Sequence, residues 1–305
     1  MASRRARSES ISAPVRGALW VTGSTAFFAL TAVLIRLVAG EVHPFEIAFF
    51  RNLFGIVWML PWLARAGPRA LGTRRQGLLW VRAFTASAAQ LSWFLAVTLM
   101  PLAQATALNF TTPLFGTLGA ALILREVVGP RRAGAVLVGA VGAAIILRPG
   151  LESITVASFL VLQASAFQAL TQLAARALAR TESPNLIVFY MSLMMTPLTG
   201  LAALFVWSRP SWSALGWLAL MGLVSTLGQQ ALVRGYRLAE AAAVMPFNYA
   251  RLIFMALFGY ALFGEVADAF TWAGATVIFA ATFYVARREA LTRRARARAA
   301  AAPPP

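Results

Sequence analysis

The sequence predicts an all-α polytopic membrane protein: ten transmembrane helices in two inverted five-helix repeats, both termini cytoplasmic. Three observations carry that expectation: an apolar composition, apolar runs of span length, and arginines gathered on one side of those runs. Of 305 residues, 60% are hydrophobic and 12% charged, whereas soluble domains carry about 25% charged residues. Runs close to the roughly 20 residues that a bilayer span needs recur along the whole chain. They do not alternate in polarity every second residue, which argues against a β-barrel.

Taken in order, the first run, 17–38, follows the basic segment 1–16, MASRRARSESISAPVR. It is too long for the apolar core of a cleaved signal peptide and is expected to be retained. The second run, 44–63, begins at His43-Pro44; the third is 77–99; the fourth, 102–124, follows Pro101; the fifth, 131–147, follows Gly129-Pro130. Pro149-Gly150 then divides a first repeat, 17–147, from a second, 148–286. The remaining runs are 154–176, 184–207, 213–234, 239–263 and 268–286, with Pro184 and Pro210 as punctuation. The tail 287–305, basic and then Ala/Pro-rich, is expected to be disordered. Trp62, Trp80, Trp207 and Trp272 lie near span ends, as in an aromatic belt.

All 27 basic residues are arginine, and the net charge is +17. With the N-terminus inside, cytoplasmic segments hold Arg4, Arg5, Arg7, Arg16, Arg65, Arg69, Arg74, Arg75, Arg125, Arg131, Arg132, Arg176, Arg180, Arg234, Arg237 and the six of the C-terminal tail. The other side holds Arg36, Arg148 and Arg209. Positive residues favour the cytoplasmic face, so the charge is a topology signal for a bacterial inner membrane rather than a nucleic-acid site. The bilayer is therefore a partner and nucleic acid is not. There is no cysteine, so no disulfide, thiol nucleophile or thiolate metal site is possible. One histidine, His43, makes no metal site alone, and no cofactor is expected. No lysine is available to complete a phosphate-binding loop, which excludes ATP hydrolysis on this chain.

The two halves repeat one pattern. Leu-Ala-(Gln/Glu)-Ala occurs at 102–105 and 238–241, and an Asn-aromatic pair follows in each, Asn109-Phe110 and Asn248-Tyr249. Each Asn precedes a glutamate by 17 residues, Glu126 and Glu265. Valine follows each glutamate, and then a helix containing Ala-Gly-Ala, at 133–135 and 273–275. Five helices per repeat is an odd number, so the halves must be inverted. Inverted repeats around a midplane site are an architecture of secondary carriers, which would move a small organic molecule between two aqueous sides.

Residues 93–126, WFLAVTLMPLAQATALNFTTPLFGTLGAALILRE, and 232–265, LVRGYRLAEAAAVMPFNYARLIFMALFGYALFGE, resemble the EamA-type signature of the drug/metabolite transporter superfamily. FEIAFFRNLFG at 45–55 resembles its second-helix pattern. The resemblance covers nearly the whole chain. It implies ten helices in two inverted halves and a central cavity lined by helices 1, 3, 4, 6, 8 and 9. It also implies a small-metabolite substrate, among which riboflavin, S-adenosylmethionine and amino acids are all open.

Polar residues at membrane depth are the candidate site. Arg251 lies about 18 Å into its run at 1.5 Å per residue. An exposed arginine there costs at least about 2.5–3.5 kcal/mol, so it should face the bundle interior, as a substrate ligand or a structural cation. Asn248 shares its face, and Asn109 is its counterpart; both either contact substrate or bridge helices. Trp93 and Tyr249 could stack on a flat substrate, or pack. Gln90, Gln168 and Gln229 add neutral donors, and Gln168 shares a face with Gln172. Pro246, two residues before Asn248, removes an amide donor and marks a hinge or a packed kink, as do Pro113 and Pro197. Arg51 is expected as a gating or structural cation. Arg82 could snorkel to the cytoplasmic face or bind. Glu46, two residues from the outer end, is either a hydrated surface group or a carboxylate that couples transport to a proton. Ala135, Gly139 and Ala143 read as a packing stripe.

The cation-rich set Arg51, Arg82 and Arg251 against Glu46 favours a carboxylate-bearing, zwitterionic or flat cofactor-like substrate. The rival classes are a membrane-embedded enzyme or lipid-modifying protein, and a channel or non-transporting scaffold. An enzyme needs an acid/base or nucleophile pair, and the spans hold no histidine, no cysteine and no adjacent carboxylates. Coupling, direction and oligomeric state leave no trace in the sequence.

Overall fold

The structure, a computed structural model, describes residues 13–123, 130–147, 155–178, 181–238, 245–281 and 283–284. The basic N-terminal tail up to residue 12, Arg125, Glu126, the head of the ninth run at 239–244 and the C-terminal tail lie outside the described residues. The described chain is helical: α1 (Ala13–Val38), α2 (Pro44–Ala66), α3 (Gln76–Leu99), α4 (Leu102–Asn109), α5 (Thr112–Ile123), α6 (Pro130–Leu147), α7 (Val156–Leu178), α8 (Pro184–Leu204), α9 (Trp212–Leu238), α10 (Ala250–Phe263) and α11 (Ala269–Ala281). Five of these, α1, α2, α7, α8 and α9, contain stretches long and apolar enough to cross a bilayer, and shorter apolar helices accompany them. Apolar side chains such as Val141, Phe159, Leu201, Ile253 and Tyr260 cover the outside of the bundle. With no water at that depth, helices are the form that satisfies every backbone group within its own segment. The protein is a polytopic helical membrane protein.

Local chemistry sets the helix ends. His43 caps α2, its Nδ1 accepting the Phe45 amide at 3.2 Å, and Pro44 takes the first helical position, where no N–H is required. Ser183 caps α8 in the same way, accepting the Leu186 amide at 3.3 Å ahead of Pro184. Gly264 closes α10 at φ 67°, a left-handed conformation that suits glycine. Ser211, just before α9, donates its amide at 2.6 Å and its hydroxyl at 3.0 Å to Glu41 in the loop after α1. Those bonds hold the Glu41 carboxyl below its usual range.

The fourth and ninth runs are not the continuous helices that the sequence suggests. The fourth breaks between α4 and α5 at Phe110–Thr111, and a 3-10 turn, Met245–Tyr249, leads into α10. Pro113 explains the first break: it has no N–H for the Asn109 carbonyl one turn earlier. That carbonyl instead accepts the Thr112 hydroxyl at 2.7 Å, with Ser165 at 3.5 Å. Pro246 lies inside the second break. Pro61 and Pro197, by contrast, sit inside α2 and α8 without interrupting them.

Helix pairing follows an exchange of halves. α1 packs on α9 as α7 packs on α3, and α1 meets α10 as α7 meets α5. Two hydrogen bonds obey the same exchange. The Thr31 and Ser225 hydroxyls lie 3.2 Å apart between α1 and α9. Thr171 donates to Thr85 at 2.9 Å between α7 and α3. Each residue of one pair lies 140 positions from its counterpart in the other. Backbones touch where α6 crosses α11: a Cβ on Gly142 would sit 2.9 Å from the Gly274 carbonyl, and one on Gly274 would sit 2.5 Å from that of Gly142. Gly139 is pressed against Leu114 of α5, and Ala135 and Ala143 are buried, so that stripe is a packing surface.

Candidate substrate-binding site

The two helix breaks meet. Phe110 and Tyr249, the aromatic members of the repeated Asn-aromatic pairs, stand edge to face with centroids 4.5 Å apart. Tyr249 makes a second edge contact, also 4.5 Å, with Phe279 of α11. Its ring is therefore held between two others. Asn109 donates its amide to Ser165 of α7 at 3.1 Å. Gln168, three residues beyond Ser165, lies on the same face of α7 and is half-buried. Asn248 sits in the 3-10 turn beside Tyr249, and Pro246 two residues before it.

Arg251 is the second residue of α10, two positions after the turn. Its guanidinium lies 4.8 Å from the Trp93 ring centroid, and its Nε is buried with no hydrogen-bond acceptor. A stacked cation of this kind gains about 0.5–2 kcal/mol. The one ion pair among the described residues, Arg36 with Glu265, is elsewhere. Arg51, Arg82 and Arg251 thus have no carboxylate partner among the described residues, and a buried cation without one is costly.

A polar ladder joins α2, α3 and α8. Arg51 Nη1 donates to Asn52 Oδ1 at 3.1 Å. Asn52 Nδ2 donates to Gln90 Oε1 at 3.0 Å and to Thr199 Oγ1 at 3.3 Å. Gln90 Nε2, Ser87 Oγ and Thr106 Oγ1 are buried and have no hydrogen-bond partner. Arg51 and Gln229 also line a cavity of about 10 Å³ with Ser192, Ser225 and Thr226, room for about one water.

Three expected residues lie away from this centre. Arg82 donates to the Ile187 carbonyl at 3.3 Å, tying α3 to α8. It stands about 16 Å along α3 from Trp93 at 1.5 Å per residue. Glu46 is fully buried, not hydrated: Ser208 donates its amide at 3.0 Å and its hydroxyl at 3.0 Å to one carboxylate oxygen. The depth estimate misled because the α8–α9 connection folds over the end of α2. Arg36, expected only as a topology marker, is paired with Glu265 and donates to the Val97 and Met100 carbonyls. The second Glu265 oxygen accepts the Leu102 amide at 2.9 Å, so one pair joins the ends of α1, α3, α4 and α10.

Sequence reasoning missed Asn52, Thr199 and Ser165 as members of these networks. Asn52 had a signal, since it adjoins Arg51 within a span. Serine and threonine are common in membrane helices, and only the fold gives Ser165 and Thr199 their partners.

The chain matches the EamA-like transporter family over residues 15–148 and again over 155–287. It is 33% identical to a riboflavin transporter of Vibrio cholerae over 282 residues, covering 90% of this chain and 94% of that protein. It is 26% identical to an S-adenosylmethionine uptake transporter of Rickettsia prowazekii over 271 residues, with coverages of 89% and 92%. A solved crystal structure at 19% identity superposes with a TM-score of 0.59 over 90% of this chain and 96% of the other.

Proposed function

The chain belongs to the EamA-like transporter family, a small-metabolite transporter by its relatives, and from that premise we propose that its substrate is riboflavin or a closely similar flat, acceptor-rich molecule. The chain carries it across the bacterial inner membrane by rocking of two inverted five-helix halves around the helix breaks, with both termini cytoplasmic. The exchange of helix pairs and the matched Thr31–Ser225 and Thr171–Thr85 bonds support the two halves. Broken helices meeting at depth support the position of the site.

The observation that favours riboflavin over S-adenosylmethionine is Arg251. Its cation lies over Trp93 with an unmet donor and no carboxylate partner among the described residues. Riboflavin is neutral and its ring edge carries carbonyl and ring-nitrogen acceptors. S-adenosylmethionine has a carboxylate that an arginine could pair with, but its sulfonium and ammonium leave it net positive, which a cation without a counter-charge disfavours. The test is thermal unfolding of purified protein across a metabolite panel. A ligand at ~100 times its dissociation constant adds about 2.7 kcal/mol if it binds only the folded state. Riboflavin is expected to stabilise, and S-adenosylmethionine and amino acids are not. Stabilisation by S-adenosylmethionine alone overturns the choice.

A further inference from the structure

We propose that Gln90 is a substrate-binding residue whose amide is oriented by Arg51 through Asn52, so that the site presents hydrogen-bond donors to a planar ligand edge bearing acceptors. The proposal rests on the small-metabolite reading and adds to it the chemistry of the contact.

The orientation follows from what each group can do. Arginine has donors and no acceptor. Arg51 Nη1 therefore obliges Asn52 to turn its Oδ1 toward it, and the 3.1 Å contact is that bond. Asn52 must then turn Nδ2 the other way, where it meets Gln90 Oε1 and Thr199 Oγ1. Thr199 spends its own proton on the Met195 carbonyl at 2.8 Å, so its oxygen is an acceptor for Asn52. Gln90, its oxygen taken, points Nε2 away from Asn52. Of the ambiguous amide flips in this chain, these two are settled by a residue that cannot accept.

That Nε2 has no partner, and Gln90 is 7% exposed. A buried donor left unmet costs about 1–3 kcal/mol. Trp93 follows Gln90 by three residues and shares its helix face, and Arg251, with its own unmet Nε, lies over Trp93. Two unsatisfied donors thus belong to the surroundings of one aromatic ring: Gln90 Nε2, one helix turn before it on α3, and Arg251 Nε, stacked over it from α10. A ligand that stacks there and offers adjacent carbonyl or ring-nitrogen acceptors satisfies both. A ligand with amino groups along that edge satisfies neither.

Asn52→Asp tests this without emptying the core. An aspartate accepts from Arg51, from the Gln90 NH₂ group, and from Thr199 once its hydroxyl turns from the Met195 carbonyl, which inverts Gln90 and puts its oxygen into the site. The buried Arg51 gains a counter-charge, so the melting temperature is expected to hold or rise. Riboflavin binding, followed by flavin fluorescence, is expected to weaken at least tenfold in Asn52→Asp and in Gln90→Leu. Lumazine and pterin differ by one carbonyl replaced with an amino group; the wild type should prefer lumazine, and Asn52→Asp should reverse that preference. If riboflavin binds and both variants stay within twofold of wild type, the Gln90 assignment is wrong and the riboflavin reading stands. If wild type does not bind riboflavin, the riboflavin reading fails, and the lumazine-to-pterin ratio alone decides Gln90. An unchanged ratio, or no binding of either compound, overturns it.

Discussion

Arg251 is held in the bundle by a ring rather than by a carboxylate, and this separates its contribution to function from its contribution to stability. A cation over Trp93 at 4.8 Å recovers part of its desolvation, while the unmet Nε recovers nothing. Replacing an uncompensated buried charge with an apolar group of similar volume is often neutral or stabilising. Arg251→Leu is therefore expected to melt at or above the wild-type temperature and to lose riboflavin binding by more than tenfold. A variant that unfolds easily and retains affinity would make Arg251 a structural cation. Arg82 is the internal control: it donates to the Ile187 carbonyl well away from Trp93.

Between elements, contacts of two kinds hold the bundle: polar bridges such as Asn109–Ser165 and Asn52–Thr199, and glycine crossings. Polar bridges between membrane helices contribute about 0.6 kcal/mol each on average. Close crossings tolerate less. Gly274→Leu would push a side chain into the Gly142 carbonyl and Ile146, and overpacking of this kind typically costs 1–3 kcal/mol. A fall in melting temperature with no change in flavin affinity of the folded fraction is expected; an affinity change of tenfold would mean that the α6–α11 crossing sets the position of Tyr249 through Phe279. At this scale the sequence was legible in part. Apolar length and proline punctuation placed the starts of α2, α3, α4, α6, α7, α8, α9 and α11 within two residues; α1 begins four residues early, at Ala13, and α5 and α10 begin inside runs expected to be continuous. Pro113 and Pro246 were legible as hinges or packed kinks, but the runs around them read as continuous, so the two helix breaks were not. The pairings Arg36–Glu265 and Glu46–Ser208 were not legible. Their members lie far apart in sequence, and local charge and depth give no information on what folds over them.

For the molecule as a whole, the Arg36–Glu265 pair gathers the ends of α1, α3, α4 and α10 on the side expected to face outward. Beside it an open groove of about 560 Å³ is lined by Ala39, Gly40, Thr98 and Pro101. Rocking of the halves would have to part this junction. Glu265→Gln removes the ionic component, and is expected to speed labelling of a cysteine at Thr98 by an impermeant maleimide added outside. The chain has no native cysteine to confuse that reading; an unchanged rate would show that the ion pair does not control access to the groove. The central claim, a flavin carrier that exposes one site alternately to two sides, is tested most directly by counterflow. Purified protein in liposomes loaded with unlabelled riboflavin is given labelled riboflavin outside. The account predicts transient, saturable accumulation of label above equilibrium, abolished in Arg251→Leu. Accumulation that never exceeds equilibrium and rises linearly with concentration, or no flavin flux at all, would contradict it.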